Sequence, residues 1–553
     1  MGKVEWKISP VDISNVRRLE YGLGISNLAA RVLAARGLVA EEAARRFLRA
    51  SLDDLGDPML LPDVEPAIER LIEATENYDH IMVVGHDDVD GITATTIVFG
   101  SLKEIGADVS YYIPDSPTEG IGLSRSLIDR FKKSGVSLIV TVDCGVSCKD
   151  EIEYARSKGI DTIVTDHHEP PAELPDAVGV INPKRSDSQY GFRDLAGCGV
   201  AYRFMQAFCE RYRKIGSPPS LDGMLGMAAP GSFADRVPLL GENRIIVING
   251  VKEILSRRWT PFITLRSHIW VDDESTMTEV LSKIVPLIGA SRSHEGGNLG
   301  CELLLSTEEE DAEEILASLI MESEQRRERA YRALEIVQRE LAKIDANSSK
   351  VIVLKVERLP TKTVGFCAAR LADTFHKPVV IISMKGNEGV GEARGPKGVD
   401  LVEALAANKQ YFMTYGGHKQ AAGFSIKRSN VDDFIKSFTE YLEPRIDPAV
   451  IKKEIRIDDR LEPSDLKIDT LKSLLCLEPF GEENPRPVFL LESLHGDMVK
   501  EIDGVWRLNE VTLSIGNLDQ VGWDADEKVS LVISPFGDGN IRVVDVLDWK
   551  KVK

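Results

Sequence analysis

The sequence predicts an α/β protein of several domains: a mostly parallel sheet covered on both faces, joined by a long helix to a smaller α/β unit, with a small β domain after it. Three observations carry this. Between residues 80 and 182, short apolar runs alternate with amphipathic stretches in βαβ order. From Ser306 to Ile344 the chain is charged and has no Pro or Gly, which reads as one long helix and a natural connector. After about residue 450 the segments VTLSIG, KVSLVIS and NIRVVDVLDW alternate apolar and polar positions, as strands of a small barrel or sandwich do. A length of 553 residues allows about two to four domains.

Residues 1–75 read as helical, because NLAARVLAARGLVAEEAARRFL has helical apolar spacing; Pro58, Pro62 and Pro66 punctuate the exit. The strands HIMVVG (80–85), DVSYYIP (108–114), SLIVTVD (137–143), DTIVTD (161–166) and AVGVIN (177–182) then follow, each ending in a turn or a charge. TTIVFGSLKEIG and LSRSLIDRFKKSG are helices between them, and helical patterns continue to about residue 285. Residues 350–446 form the second α/β unit, with strands VIVLKV and PVVIIS and the Gly-rich stretch YGGHKQAAGF. No internal repeat or low-complexity tract is present.

Composition excludes several classes. No run of about 18 apolar residues exists, so no membrane span is expected. The start MGKVEWKISPVD lacks the apolar core of a secretion signal. Seven cysteines form no CxxC pair, which points to reduced thiols and a cytoplasmic location; Cys144 and Cys148 have no second pair to complete a zinc site. A net charge of −20 opposes broad, unspecific binding of nucleic acid, so a polyanionic substrate needs a local basic groove or bound cations.

Acids collect where strands end. His86, Asp87, Asp88 and Asp90 follow the first strand, Asp143 ends VTVD, and Asp166, His167 and His168 end IVTD. Asp235 lies in GSFADRVPLLGEN, after a helical region. Ligands of parallel sheets bind beyond the carboxyl ends of strands. Oxygen and imidazole donors without thiolate suit Mn²⁺ or a similar divalent ion. So many anions suggest two ions with a bridging carboxylate, the usual machinery for hydrolysing phosphoesters. An EF-hand fails, because position 12 counted from His86 is Ile97 rather than Glu. Asp88-Val-Asp90-Gly also resembles the aspartyl-phosphate loop of haloacid-dehalogenase-type phosphatases, which leaves Asp166-His167-His168 unexplained.

At VTDHHEPPAELPDAVGVINPKR the chain resembles the DHH phosphoesterase superfamily, and most closely its RecJ family of single-strand-specific exonucleases. LGISNLAARVLAARGL and FLRASLDDLGDPMLLPD are similar to that family's amino-terminal region. HDDVDG, TVDCGVS, TDHHEP and FADRVPLLGENR resemble its four metal-binding motifs in order, and LAGCGVAYRFMQAF the segment between the third and fourth. GEARGPKGVDLVEAL and YGGHKQAAGF resemble the DHH-associated (DHHA1) domain, and LEPFGEENPRPVFLL the entry to an oligonucleotide-binding (OB) barrel.

The resemblance implies a helical region (1–75), a DHH domain (76–305), a connector helix (306–345), a DHHA1 substrate-binding domain (346–448) and an OB-like domain (449–553). It implies that His86, Asp88, Asp90, Asp143, His167 and Asp235 are ligands of two Mn²⁺ or Mg²⁺ ions, with Asp143 bridging. His168 is expected near the scissile phosphate and Asp166 as an orienting group. Gly416, Gly417 and His418 bring the second domain onto the substrate phosphate, with Arg394 as a charge clamp and Arg370 joining it. His86 stands where bacterial members carry Asp, but His-x-Asp-x-Asp is common elsewhere in the superfamily, so metal binding is expected to survive. The other departures fall on substrate contacts: Ser116 where Arg is usual, and Glu392 where Ser is usual. VPLIGASRSHEGG lacks the family's Asn-Ala-x-Gly-Arg pattern, and Arg292 is the candidate to compensate; LPTKTVG lacks the family's His. Arg326, Arg329 and further arginines on the connector helix are expected to line a cleft for the strand, and Trp506 and Trp523 in the tail are stacking platforms or barrel core.

The expected function is a cytoplasmic, two-metal exonuclease that releases mononucleotides from single strands in recombination and repair, 5′-to-3′ and on DNA ahead of RNA. Some features are closer to archaeal relatives that associate with the GINS replication complex, so partners are expected among replication or repair proteins such as single-strand-binding protein or GINS. Two alternatives are an RNA, short-oligonucleotide or cyclic-dinucleotide phosphodiesterase, and a replication scaffold without catalysis. The first predicts a chain that stops after the second domain; the second predicts eroded ligands.

Overall fold

Apolar runs rich in Val and Ile become five parallel strands: β1 (His80–Val84), β2 (Val109–Tyr112), β3 (Val136–Val142), β4 (Asp161–Thr165) and β5 (Gly179–Ile181). Their order in the sheet is β2-β1-β3-β4-β5, with every neighbour parallel. On one face, α1 (Val89–Glu104) and α2 (Gly197–Tyr212) bury Ile97, Leu102, Phe204 and Phe208 against Val83 and Val140. On the other, Leu127, Ile128, Phe131 and Ile152 cover Val84, Ile139 and Val164. Covering both faces is why these strands read as continuous rather than alternating apolar runs. The chain leaves β1 for β2 on one side and returns to β3 on the other. Diverging connections leave a crevice beyond the carboxyl ends of β1 and β3. Helices α3 (Met224–Ala234) and α4 (Gly241–Leu255) pack on one another, and α3 packs on α1.

The computed structural model describes residues 5–548 except 257, 270, 272–274, 292, 347, 453, 496–497, 503–504, 515–527 and 537–539. Among these, no helix is long and apolar enough to cross a membrane. The chain divides into two compact units, a larger one (9–323 with 458–553) and a smaller one (1–8 with 324–457).

The amino-terminal helices do not stand apart from the carboxy-terminal strands. Val16, Leu19, Leu28, Val32 and Leu33 share one core with Leu461, Leu491, Val511, Leu531 and Ile541. Those strands form a seven-stranded sheet that runs from Asp459–Leu461 at one edge to Val499–Ile502 at the other. Neither three short helices nor a small sheet buries enough surface alone, and each supplies the apolar face that the other lacks. Ion pairs ring the junction, Arg31 to Asp459 at 2.5 Å and Arg36 to Asp458 at 3.1 Å. Trp506 is partly buried against this core, whereas Trp523 lies outside the described residues. The first described residues differ from the helical expectation: Glu5–Ile8 is a strand, paired in parallel with Glu454–Ile457. EWKI has the alternation of an edge strand, but its partner is too distant in sequence for pattern reading to find.

The long helix α5 (Glu309–Leu341) runs from the larger unit into the smaller. There β6 (Ile352–Glu357), α6 (Thr361–Phe375), β7 (Val379–Lys385), β8 (Glu388–Arg394), β9 (Phe412–Gly417) and β10 (Ala421–Lys427) follow. The sheet order is β9-β10-β8-β7-β6. Only β6 and β7 pair in parallel; the other neighbours are antiparallel. Helix α6 buries Val364, Cys367 and Leu371 against Ile352, Leu354 and Ile381 on one face. Phe424, Phe434 and Phe438 fill the other.

Arg244 ties three segments of the larger unit together. It is 1% exposed and donates to the carbonyls of Phe47 (2.7 Å), Leu477 (3.2 Å) and Glu478 (2.7 Å). Its guanidinium lies 3.7 Å from the centre of the Phe47 ring, and burial pushes its pKa down to about 9. Arg244→Leu leaves the Phe47 and Glu478 carbonyls without this donor, while Leu477 keeps Asn484 Nδ2 at 2.9 Å; each unsatisfied group costs about 1–3 kcal/mol. The expected result is a loss of about 3 kcal/mol or more and early protease cleavage near residues 47 and 477. Unchanged thermal unfolding would remove Arg244 from the junction.

Candidate metal centre

The crevice at the ends of β1, β3 and β4 is lined by carboxylates and imidazoles. After β1 the chain turns through His86 and Asp87 into α1. Asp88 caps α1, accepting from the Gly91 amide at 2.9 Å. Its other oxygen lies 3.0 Å from His86 Nδ1. Asp90 sits in the first turn of α1. Its two oxygens accept from the Gly197 (2.7 Å) and Cys198 (2.8 Å) amides that open α2, so the positive end of α2 faces a buried carboxylate. Asp143 follows β3 with φ 58°, a conformation unfavourable for residues with a β-carbon. A β-carbon at Gly197 would come within 2.4 Å of Asp143 Oδ1, so only glycine lets α2 begin this close to the acid.

His167 Nε2 lies 3.2 Å from Asp143 Oδ1, 3.7 Å from Asp235 Oδ2 and 3.8 Å from Asp90 Oδ2. Asp235 ends α3 as its C-cap. Three groups of possible ligands overlap here: His86, Asp88 and Asp143; Asp143, His167 and His168; and Asp90, His167 and Asp235, their donor atoms within 4.8 Å of one another. Asp143 and His167 each belong to two. Asp143 Oδ1 and both ring nitrogens of His167 are buried without a hydrogen bond. Buried polar atoms rarely stay unsatisfied, and a divalent cation would satisfy Asp143 Oδ1 and the His167 Nε2 that faces it at 3.2 Å. No thiolate competes, because burial pushes the Cys144 thiol far above its usual range. The donor set therefore fits Mn²⁺ or Mg²⁺.

Asp166 is saturated. Its Oδ1 accepts from the His167 (2.7 Å) and His168 (3.0 Å) amides and lies 2.7 Å from His168 Nδ1. Its Oδ2 accepts from the Val146 amide at 2.9 Å. It orients His168, whose side chain is 46% exposed; Asn182 holds the same turn through the His168 carbonyl at 2.8 Å. Asp87, in the middle of the acidic run, accepts from the Ser116 amide (3.1 Å) and hydroxyl (2.5 Å) and so anchors the next loop. Lys184 had no signal in the motif reading. Its charge acts on both His167 and Asp235; the one sequence clue is a cation two residues past the apolar run AVGVIN.

Electrostatics expose the missing charge. Burial first, then Asp90 and Asp88, push Asp143 well above 3.8. The same causes raise Asp235 to about 8. Asp88 stays at about 2 against its burial, because His86 is beside it. Burial lowers His167, favouring the neutral imidazole that binds metals, while the Asp166 hydrogen bond raises His168. Without a cation, then, Asp143 and Asp235 hold protons more tightly than free carboxyls do.

The remaining expected site residues lie in the smaller unit, apart from Arg292, which is outside the described residues. Arg394 ends β8, and its Nη1 donates to Glu392 Oε2 at 2.8 Å. Gly416 and Gly417 end β9, one strand removed from β8 across β10, and pair with Gly423 and Ala422. His418 is exposed in the turn that follows, its amide 2.7 Å from the Ala421 carbonyl. Arg370 is exposed on α6, and Arg326 and Arg329 are exposed on α5. Arg329 Nε donates to the Gln325 carbonyl at 3.0 Å, and the neighbouring Arg332 pairs with Glu328 one turn back.

Three family models match the chain: the DHH family N-terminal domain over residues 80–229, the DHHA1 domain over 348–443 and the RecJ OB domain over 457–544. The single-stranded-DNA-specific exonuclease RecJ of Bacillus subtilis is 30% identical over 565 residues, covering 100% of this chain and 70% of that protein. A crystal structure of RecJ from Thermus thermophilus with Mn²⁺ superposes with a TM-score of 0.82 at 25% identity, over 99% of this chain and 80% of that one. The same enzyme with Mg²⁺ gives a TM-score of 0.74 at 25% identity, over 98% and 78%.

The linkage has a definite sign. Asp235 ordinarily titrates near 3.8 and in the fold near 8. Stability of the metal-free protein is therefore full below the first value and is lost as pH rises through the second. A cation that replaces the proton reverses that loss. Mn²⁺ is expected to raise the melting temperature more at about pH 8 than at about pH 6, with protons released on binding in calorimetry. Equal gains at both would separate these acids from the metal. Gly197→Ala should lower Mn²⁺ affinity at least tenfold while secondary structure by circular dichroism is retained.

Proposed function

The chain belongs to the RecJ family of single-stranded-DNA-specific exonucleases, and from this we propose that it removes nucleotides one at a time from a free end of single-stranded DNA, 5′-to-3′, in recombination and repair. The observation that carries the reading is the sharing of Asp143 and His167 between overlapping ligand groups. His86, Asp88, Asp90, Asp143, His167 and Asp235 would hold two divalent ions, Mn²⁺ or Mg²⁺. When bound, the ions supply acidity to a water at neutral pH and positive charge to offset the phosphoryl oxygens.

The chain's own residues do the rest. Asp90, fixed by two amides, and Asp143, fixed by its backbone, hold their carboxylates in place before a cation arrives. His168, aimed by Asp166 through its Nδ1, offers the other ring nitrogen as a hydrogen-bond donor to a phosphoryl or leaving oxygen. Lys184 adds a positive charge beside the same oxygens. In the smaller unit the Arg394 guanidinium offers a fork for phosphate oxygens. Gly416, Gly417 and His418 give a surface where a strand comes close to the backbone.

The substrate side is this chain's own. Ser116 is engaged by Asp87 and Arg394 by Glu392, so two expected cationic contacts are absent or neutralised. A location in the cytoplasm fits seven cysteines that are all unpaired. Partners among replication and repair proteins, single-strand-binding protein or GINS, belong to the same reading.

The test is digestion with Mn²⁺ of single-stranded DNA and RNA labelled at either end, beside a duplex. The expected result is early release of a 5′-labelled mononucleotide from single-stranded DNA. RNA preference or 3′ release would overturn substrate or polarity, and no cleavage with metal bound would overturn the enzyme. Asp143→Ala should lower turnover by a factor of about 10³ or more, with the fold retained. Arg394→Ala and Glu392→Gln should act in opposite directions: the first raises KM about tenfold, and the second lowers it by freeing the guanidinium. Movement of both in one direction would reject a clamp held in check by its neighbour.

A further inference from the structure

The smaller unit contains a cavity of about 610 Å³ that the metal centre does not use, lined by Arg358, Ser383, Lys385, Val390, Met413 and Ser425 among others. Its place follows from the strand register. It lies beyond the carboxyl ends of the two parallel strands, β6 and β7, the edge of an open α/β sheet where ligands collect. Ser383, Val390 and Ser425 are paired directly across β7, β8 and β10, so they form one row of the floor. Alternation along β8 puts Glu392 and Arg394 on that same face. From Val390 to Arg394 is four residues, about 13 Å. That is about four stacked nucleotides at 3.4 Å each, and fewer in an extended strand.

On the β7 side the ground between the two is covered by α6, which buries Ile381 and brings Gly365 close to Arg394 and Glu392. On the other side the row runs from Glu392 through Gly423 to Gly416, and the last two have no side chain. A strand can therefore lie on the backbone of β10 and β9, beside α6, between the cavity and Arg394.

Charge marks the cavity as a site for an anion. The chain carries −20, and several arginines of the smaller unit are spent on acids: Arg428 on Glu357 at 2.6 Å and Arg394 on Glu392 at 2.8 Å. Among the described residues the Arg358 guanidinium and Lys385 ammonium have no ion-pair or hydrogen-bond partner. Glu388 is also on the rim, leaving a net positive charge. Arg358 is held at φ 59°, an uncommon backbone for a residue with a β-carbon, by the hydrogen bond its amide N–H donates to the Met384 carbonyl at 2.9 Å. Met413, 42% exposed, and Val390 supply apolar surface beside the cations.

We propose that this cavity is a second nucleotide subsite for the single strand. Arg358 and Lys385 hold a backbone phosphate a few nucleotides from the one at Arg394, and Met413 and Val390 cover the apolar side of that nucleotide. The inference rests on the reading of Arg394 as a phosphate clamp for the strand.

The experiment compares the wild type with Arg358→Glu/Lys385→Glu on a dinucleotide and on a single-stranded dodecanucleotide, with Mn²⁺. Both side chains are exposed, so the fold should tolerate the change. The expected result is that kcat/KM for the dodecanucleotide falls at least tenfold further than for the dinucleotide, through KM. The salt dependence of dodecanucleotide affinity should also become shallower by about one to two in log–log slope. Met413→Ala should show a smaller length-dependent loss with the wild-type salt slope. Equal losses on both substrates, or none, overturn the subsite. If the wild type cleaves neither substrate, the exonuclease reading has failed. Fluorescence anisotropy of a labelled dodecanucleotide without metal still decides the subsite, and unchanged affinity in the double variant overturns it. Binding of free deoxythymidine monophosphate that the double variant loses, without any change for the dodecanucleotide, would make the cavity an effector site and overturn it as well.

Discussion

Mutual repulsion among crowded carboxylates, with Asp90 and Asp143 fully buried, is the constraint around which this protein is arranged. Asp88, Asp90, Asp143 and Asp235 converge with His86 and His167 in one crevice, and each further buried negative charge costs more than the last. An unsupported cluster of this kind would protonate or push itself apart. The fold supports it by geometry. Two carboxylates are pinned by amides or by a left-handed backbone. A third is charged by the imidazole beside it. The rest are left wanting a cation. The parallel sheet matters because its switch point brings loop after loop to the same edge. The small residues that open α2 matter because they let a helix amino terminus, the nearest fixed positive charge, touch the acids.

Legibility of this arrangement in the sequence varied with the range of the interaction. HDDVDG, TVD and DHH were readable because each lies at the end of an apolar run, and strand ends of a parallel sheet share one edge. The tail strands and the long helix were readable from periodicity and from the absence of Pro and Gly. What escaped were partnerships between distant residues. Nothing in GCGVAY announces that its amides serve Asp90. Nothing in GEAR announces that Glu392 turns back on Arg394 rather than facing solvent. Glu5–Ile8 was read with the helices around it, because a four-residue strand has too short a pattern to declare itself. Lys184 had no pattern at all, being a single cation in a loop whose position depends on the turn after β5.

The two units divide the chemistry unevenly. The larger holds every residue of the candidate metal cluster, at strand ends and in or beside helix termini. The smaller offers an exposed edge of glycines and a guanidinium already engaged. Rigid placement is needed where charge develops in a reaction, and looser placement suffices where a flexible polymer must be gripped and released. The substitution at Glu392 falls on the looser side, whereas Ser116 sits in the larger unit, held by Asp87. A binding face built this way can change its charge without disturbing the cluster.

The shared core of the chain's two ends has a consequence for synthesis on the ribosome. Arg31 and its partner Asp459 are 428 residues apart. At roughly 5–20 residues per second, the amino-terminal helices wait on the order of 20 to 90 seconds after emerging before the strands that cover them exist. During that interval their apolar faces are open to chaperones and proteases. A chain that stops early never closes this core, so incomplete copies remain marked for removal and a finished nuclease is distinguished from an unfinished one by its own packing.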